Sequence, residues 1–163
     1  MSSVIETFNR LMGELDSPMF IVTTARESER AGCLVGFATQ CSIHPPRFLA
    51  CLSKENHTYR VARGADLLAV HFVPADGEDL AQLFGGETGD EVDKFARVEW
   101  RPGPGGVPLL DRCDHRFVGS VQAQFDGGDH VGFLLAPVAA EHGRREGQFT
   151  FHRAKRIEPG HPA

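Results

Sequence analysis

Tryptophan and tyrosine are almost missing: Trp100 and Tyr59 stand alone against 12 phenylalanines. Such rings suit a packed core better than the mixed aromatic and basic surface on which single-stranded nucleic acids stack. Positive charge is also short. Seventeen Lys and Arg against 22 Asp and Glu leave a net charge of −5, which supplies no global field for a polyphosphate backbone, so no nucleic-acid partner is expected. Long hydrophobic runs are lacking as well: the longest apolar stretch, residues 133–140, is broken by Pro137 and is too short to span a bilayer. The opening MSSVIETFNRLMGELD carries acids where an export signal needs an apolar segment. A soluble, cytoplasmic chain that does not enter a membrane is the expectation.

Cys33, Cys41, Cys51 and Cys113 are spaced by eight, ten and 62 positions, so no C-x-x-C pair is present for zinc or dithiol exchange. Reduced thiols follow, with Cys33, Cys41 and Cys51 read as small core hydrophobes. The eight histidines show no ligand spacing, and no metal is expected. Missing too are a Walker loop, H-E-x-x-H and G-x-S-x-G, and the glycines near 103–106 lack the third glycine of a dinucleotide fingerprint. Phosphoryl transfer, zinc proteolysis and α/β-hydrolase chemistry have no local support.

What remains is a chain of 163 residues with 41% apolar content, the size of one domain, read as 1–163 with a core over about 15–153 and a polar tail at 154–163. Ser3-x-x-Glu6 is a capping box, and Val4, Ile5, Phe8, Leu11, Met12 and Leu15 recur at helical spacing, which predicts an amphipathic helix over 3–15 whose stripe needs a partner surface. Strands are predicted at 19–24, 32–39, 48–52 and 67–73, with a turn over 26–30. Helices are predicted at 57–63, capped by Asn56, at 76–84, closed by Gly85 and Gly86, and at 90–97. His44-Pro45-Pro46 imposes a non-helical link, and residues 101–108, with three prolines and three glycines, read as a loop. Period-two alternation over 117–126, a Gly-Gly turn and an apolar run over 130–135 form the clearest hairpin. Phe149-Thr150-Phe151 supplies a last strand, and Arg153, Lys155 and Arg156 read as a solvated tail. The pattern is mainly β, a barrel with peripheral helices.

The chemical signal lies between Gly32 and Thr58. A glycine-bearing apolar strand, a Cys41-Ser42 step, a double proline and a buried strand lead into the polar loop Ser53–Thr58. A planar cofactor with a phosphate tail suits such a block: glycine lets main-chain groups approach a flat ring, and hydroxyls, a cation and free amides hold an anion. Ser53, Lys54, Asn56, His57 and Thr58 offer that anion set within six residues.

With those residues in place, the chain resembles the flavin reductase-like, FMN-binding split β-barrel family, the short-chain flavin reductases of two-component monooxygenases. The resemblance spans about 15–153. It rests on Pro18-x-x-x-Val22-Thr23-Thr24, Gly32 through Ser42 to Pro45-Pro46, Cys51-Leu52-Ser53-Lys54 with Thr58, Phe84, Lys94-Phe95 and Gly128-Asp129-His130. It implies a Greek-key split barrel that binds FMN or FAD, takes hydride from NAD(P)H, forms a homodimer and passes reduced flavin to an oxygenase partner. It further implies that Val35, Gly36, Phe37, Ala38, Thr39, Gln40, Cys41 and Ser42 line the flavin, that Ser53, Lys54, Asn56, His57 and Thr58 hold its phosphate, and that His130 lies near the nicotinamide as the catalytic-site histidine. Gly36-Phe37-Ala38 stands where relatives place small hydroxyl residues, so backbone contacts carry more of the binding. Without the resemblance, His130 is an ordinary turn residue and Phe37 a packing ring. A flavin-binding module without turnover, and a split-barrel reductase using a deazaflavin or acting on an organic substrate, are the alternative readings.

Overall fold

The computed structural model describes residues 3–89 and 92–157. Helix α1, Val4–Glu14, starts at the capping box: Ser3 Oγ accepts from Glu6 N–H at 3.0 Å and Glu6 Oε2 accepts from Ser3 N–H at 2.9 Å. Among the described residues nine strands follow, β1 Phe20–Arg26, β2 Glu29–Val35, β3 Ala38–Ser42, β4 Arg47–Ser53, β5 Leu67–Phe72, β6 Trp100–Pro102, β7 Pro108–Leu110, β8 Arg116–Asp126 and β9 His130–Glu141. They are interleaved with α2, His57–Ala62, and α3, Glu78–Gly86, and a short helix α4, Phe151–Ala154, follows them. Seven strands make one antiparallel sheet in the order β2-β1-β5-β8-β9-β4-β3.

That sheet curls because its two ends share one core. Cys33 and Val35 of β2 pack in the same buried cluster as Ala50 and Leu52 of β4, with Phe20, Val22, Leu68, Val70, Phe133 and Leu135 between them. Alternation along β1 supplies the second face. Phe20 and Val22 point into the barrel, whereas Met19 and Ile21 join Leu80, Phe84, Phe95, Leu110 and Phe149 outside it, under α3. Fully buried side chains such as Phe133, Leu135 and Ile21 each contribute about 1.5–3 kcal/mol of burial.

The structure departs from the sequence reading at definite points. The predicted strand over 32–39 is two strands: β2 ends at Val35, Gly36 and Phe37 turn, and β3 runs out along the sheet edge. The turn over 26–30 shrinks to Glu27 and Ser28, because Arg26 and Glu29 still pair. Residues 101–108 are not a bare loop. They form a β6–β7 ribbon around a 3-10 turn whose Gly105 (φ 63°) and Gly106 (φ 80°) take the left-handed conformation, and Leu109 packs beside Ala69 and Val118. Within 90–97, Lys94–Arg97 is a 3-10 turn, while residues 90 and 91 lie outside the described residues. The final strand is absent: Thr150 makes one bridge to Pro18, then α4 begins. Tertiary anchors override the local β preference there, since Phe149 is fully buried and Phe151 N–H donates to Ser17 O at 2.8 Å.

Candidate functional site

The β8–β9 turn and the β4–β9 ladder bring distant residues together. Gly128 (φ 131°) closes the turn, and its N–H donates to Asp126 Oδ1 at 2.9 Å. Ser53 pairs with His130 in the ladder, so the histidine stands at the end of β4. Cys51 N–H donates to Phe37 O at 2.9 Å, tying the β2–β3 link to the same strand. The result is a crevice of about 390 Å³. One wall is Cys33, Leu34, Val35, Gly36 and Phe37; the floor is Cys51, Leu52, Ser53 and Asn56; His130 stands at the rim; Phe151, Ala154, Lys155 and Ile157 form the opposite side.

Its chemistry is divided. The long walls are apolar, and Ser53 with Asn56 supplies a polar end where Asn56 Oδ1 accepts from Thr58 N–H at 2.9 Å and Ser53 Oγ accepts from Glu55 N–H at 3.3 Å. At the rim, the His130 ring lies 4.9 Å from the Phe37 ring, tilted by 54°. His130 Nδ1 is 2.7 Å from Asp129 Oδ1, whose carboxylate accepts from it; that hydrogen bond holds Asp129 below the usual carboxylate range. Burial pushes the Cys33 thiol up, opposed by the charge of Lys94 and by hydrogen bonds with Thr58 and Asn56, and burial also raises Cys51. Neither is a ready thiolate. Behind the wall, buried Lys94 donates to Gly32 O and Phe84 O, each at 3.0 Å, clamping β2 to α3. Desolvation lowers its ammonium pKa.

Of the residues singled out from the sequence, Val35, Gly36, Phe37, Ser53, Asn56 and His130 meet in this crevice. Thr58 is buried just behind it. Ala38, Thr39, Gln40, Cys41 and Ser42 are not on its wall, because β3 turns away along the sheet edge, and Cys41 is exposed rather than a core residue. Lys54 is also elsewhere: its Nζ lies 3.0 Å from Asp126 Oδ1 and Oδ2. His57 pairs with Glu29 at 3.1 Å, in a neighbouring hollow lined by Arg30, Gly32 and Lys94. Phe37 is 59% exposed, too open for a packing ring. Sequence reasoning missed Met19, Cys33, Leu34, Cys51, Leu52, Gly85 and the whole tail wall, and Cys51, read as a core residue, lines the crevice instead; apolar Phe151 and Ile157 flanking a basic cluster was the available signal for the tail. A wider hollow of about 870 Å³ opens near Phe72, Phe117 and His142. Its cations are already engaged, Arg116 by Glu141 at 2.9 Å and Arg145 by Asp76 at 3.4 Å.

A protein-family model described as "Flavin reductase like domain" matches residues 12–158. The chain belongs to the flavin reductase-like family. It is 30% identical over 158 residues to a protein named FMN reductase (NADH) RutF from Ancylobacter novellus, covering 96% of this chain and 87% of that one. It is 26% identical over 124 residues to the flavin-dependent monooxygenase reductase subunit HsaB from Mycobacterium tuberculosis, covering 76% of this chain and 65% of that one. Among solved structures, the Streptomyces globisporus C-1027 NADH:FAD oxidoreductase SgcE6 superposes with a TM-score of 0.83 at 25% identity, over 93% of this chain and 91% of that one. The split β-barrel of these flavin reductase-like proteins is thus the fold of this chain, and the crevice lies inside the matched region.

The residues present fit a flavin on structural grounds. A cavity of about 390 Å³ falls in the range of small-molecule sites, roughly 300–1,000 Å³. At Gly36, an added Cβ would sit 3.3 Å from Met19 Sδ, another lining atom, so glycine keeps that part of the wall low. Apolar faces with hydroxyl and amide groups gathered at one end match a flat ring carrying a polar chain.

Proposed function

We propose that this chain is an NADH-dependent flavin reductase that transfers hydride from the nicotinamide to FMN or FAD and supplies reduced flavin to a partner monooxygenase in the cytoplasm. Residues 1–163 are read as one such domain with its core over about 15–153, working as a homodimer. The observation that carries the proposal is the convergence of the 35–37 backbone, the Ser53–Asn56 floor and the His130–Phe37 rim on one slot. Family membership and the names of the relatives support the same reading.

Flavin bound there supplies the hydride-accepting ring. The protein's share is positional. Val35, Gly36 and Phe37 present main chain and an aromatic face to the ring, Ser53 and Asn56 take the polar chain, and Thr58 braces Asn56 through its amide. Ala38–Ser42 meet only what protrudes from the slot. Lys54 and His57 reach a phosphate only by releasing Asp126 and Glu29. His130, its Nδ1 fixed on Asp129, turns its other edge to the nicotinamide nucleotide. No acid–base triad is required, since stacking and orientation bring the reacting atoms together.

Anaerobic NADH titration of the protein with FMN, and separately with FAD, tests the activity: bleaching of the flavin's visible band at a rate proportional to protein is expected. Flavin uptake without bleaching would favour a binding module, and neither uptake nor bleaching overturns the proposal. His130→Ala is expected to raise the NADH KM about tenfold, a loss of roughly 1.4 kcal/mol, with the flavin Kd unchanged. Steady-state kinetics identical to the parent protein remove His130 from the site.

A further inference from the structure

Lys94 places a cation where charge is costly. It is 5% exposed, and an ammonium taken out of water without an anion beside it is strongly disfavoured. Local structure sets it there. Asp93 Oδ1 accepts from Phe95 N–H at 3.1 Å and starts the 3-10 turn, and the Phe95 ring packs 5.8 Å from both Phe84 and Trp100, so the preceding side chain runs inward to Gly32 O and Phe84 O. Among the described residues no carboxylate pairs with Lys94, and Glu87, whose charge it feels, is held by Arg97 at 2.8 Å. Two carbonyls ask for only two N–H donors, which a neutral amide also supplies. The fold therefore keeps a buried positive charge that its own resting contacts do not require.

That charge lies directly behind the crevice. The carbonyls it holds belong to Gly32 and Phe84, and the next residue along the chain in each case, Cys33 and Gly85, lines the crevice. Little separates the two layers: a Cβ added at Gly32 would stand 2.8 Å from Phe84 Cε1, and one at Gly85 2.8 Å from Leu34 Cδ2, so β2 and α3 meet through bare backbone at both points. The wall already feels the ammonium. Burial raises the Cys33 thiol, and the Lys94 charge is the largest effect opposing it. In a dry, close-packed layer of this kind a charge is screened far less than at the surface.

Resting on the flavin reading above, we propose that Lys94 is a positioning residue for the reduced state: its ammonium, fixed behind the wall formed by Cys33 and Gly85, favours a reduced, anionic ring in the crevice over the neutral oxidised one. Hydride is a proton with two electrons. Its transfer breaks the nicotinamide C–H bond, forms an N–H bond on the ring and moves one unit of negative charge into the crevice. A cation already fixed nearby stabilises that product without touching it, and nothing has to reorganise when the charge arrives. The other ionisable groups at the crevice do not replace it. His130 shares the rim with the Asp129 carboxylate it is bonded to, and Lys155 Nζ is drawn to Gly13 O on the tail side.

The test uses the full chain and measures the Kd of oxidised FMN by fluorescence quenching and of reduced FMN anaerobically, with thermal melting as the check on folding. Lys94→Gln keeps two N–H donors for the two carbonyls and removes the charge. It is expected to hold oxidised FMN within about threefold of the parent and reduced FMN about tenfold more weakly. Lys94→Met is expected to show the same loss of preference and a lower Tm as well, because Gly32 O and Phe84 O lose their donor. A Lys94→Gln protein that binds both forms as the parent does, or weakens both equally, overturns the role in the reduced state and leaves the flavin reading standing. The parent alone gives a second measurement that needs no variant to fold: it is expected to bind reduced FMN more tightly than oxidised FMN, and the opposite preference overturns the proposal. A folded parent that takes up neither form shows that the flavin reading is what fails, and the role of Lys94 falls with it.

Discussion

Cys51→Trp is expected to weaken FMN binding about 100-fold, roughly 2.8 kcal/mol, in a protein that still folds. Cys51 is half-buried on β4, and its side chain lines the crevice rather than joining any of the three hydrophobic clusters. An indole at that point therefore occupies ligand space without overpacking the barrel. Its backbone N–H bond to Phe37 O needs no particular side chain. Cys51→Ser serves as the contrast, since it keeps the volume small and is expected to leave the FMN Kd within about threefold. Fluorescence quenching gives the affinities, and thermal melting shows that both variants are folded. A well-folded Cys51→Trp that binds FMN normally would place the flavin elsewhere on the molecule.

Legibility from the sequence followed the range of the interactions involved. The β8–β9 hairpin and the α2 cap could be read because their causes are local: period-two alternation across a Gly-Gly turn, and Asn56 Oδ1 accepting from Thr58 N–H two residues on. The α1 capping box was equally plain. Lys54 misled because its partner, Asp126, lies 72 residues away, and nothing near Lys54 marks that attraction. Residues 32–39 misled for a different reason. An apolar run around a glycine has the same composition whether it continues or breaks, and the break at Gly36 and Phe37 is fixed by the tie from Cys51 N–H to Phe37 O.

The tail shows the same principle at the site itself. Arg153, Lys155 and Arg156 have the composition of a solvated end, yet Arg153 Nη1 donates to Ala75 O at 2.6 Å and Lys155 Nζ to Gly13 O at 2.5 Å. Main-chain acceptors carry no sequence signature, so cations recruited by them read as free charges. The part of the crevice that was legible is therefore the 35–37 segment with Ser53, Asn56 and His130. The rest is built by contacts that exist only once the chain has folded.

Acid is expected to destabilise the fold through His71 before it affects most carboxylates. The ring is fully buried, Nε2 accepts from Leu110 N–H at 3.1 Å, and Nδ1, 3.0 Å from Ile21 O, carries the proton and donates to it. Burial, with a smaller contribution from the nearby Arg116 charge, lowers its pKa from 6.5 to about 4, against the raising effect of the Ile21 carbonyl. The folded protein thus keeps His71 neutral where the unfolded chain would protonate it. Between pH 6.5 and about 4 the unfolded state binds more protons, so stability rises with pH through that window and is fully present above it. Acidification from about pH 7 to 5 should remove about 2 kcal/mol from this group alone, roughly 4–8 °C in Tm. His71→Gln provides the check. It should be less stable than the parent at neutral pH, because two buried hydrogen bonds are disturbed, yet its Tm should fall less steeply on acidification. Parallel Tm curves for the two proteins from neutral pH down to 5 would show that His71 does not carry the acid sensitivity.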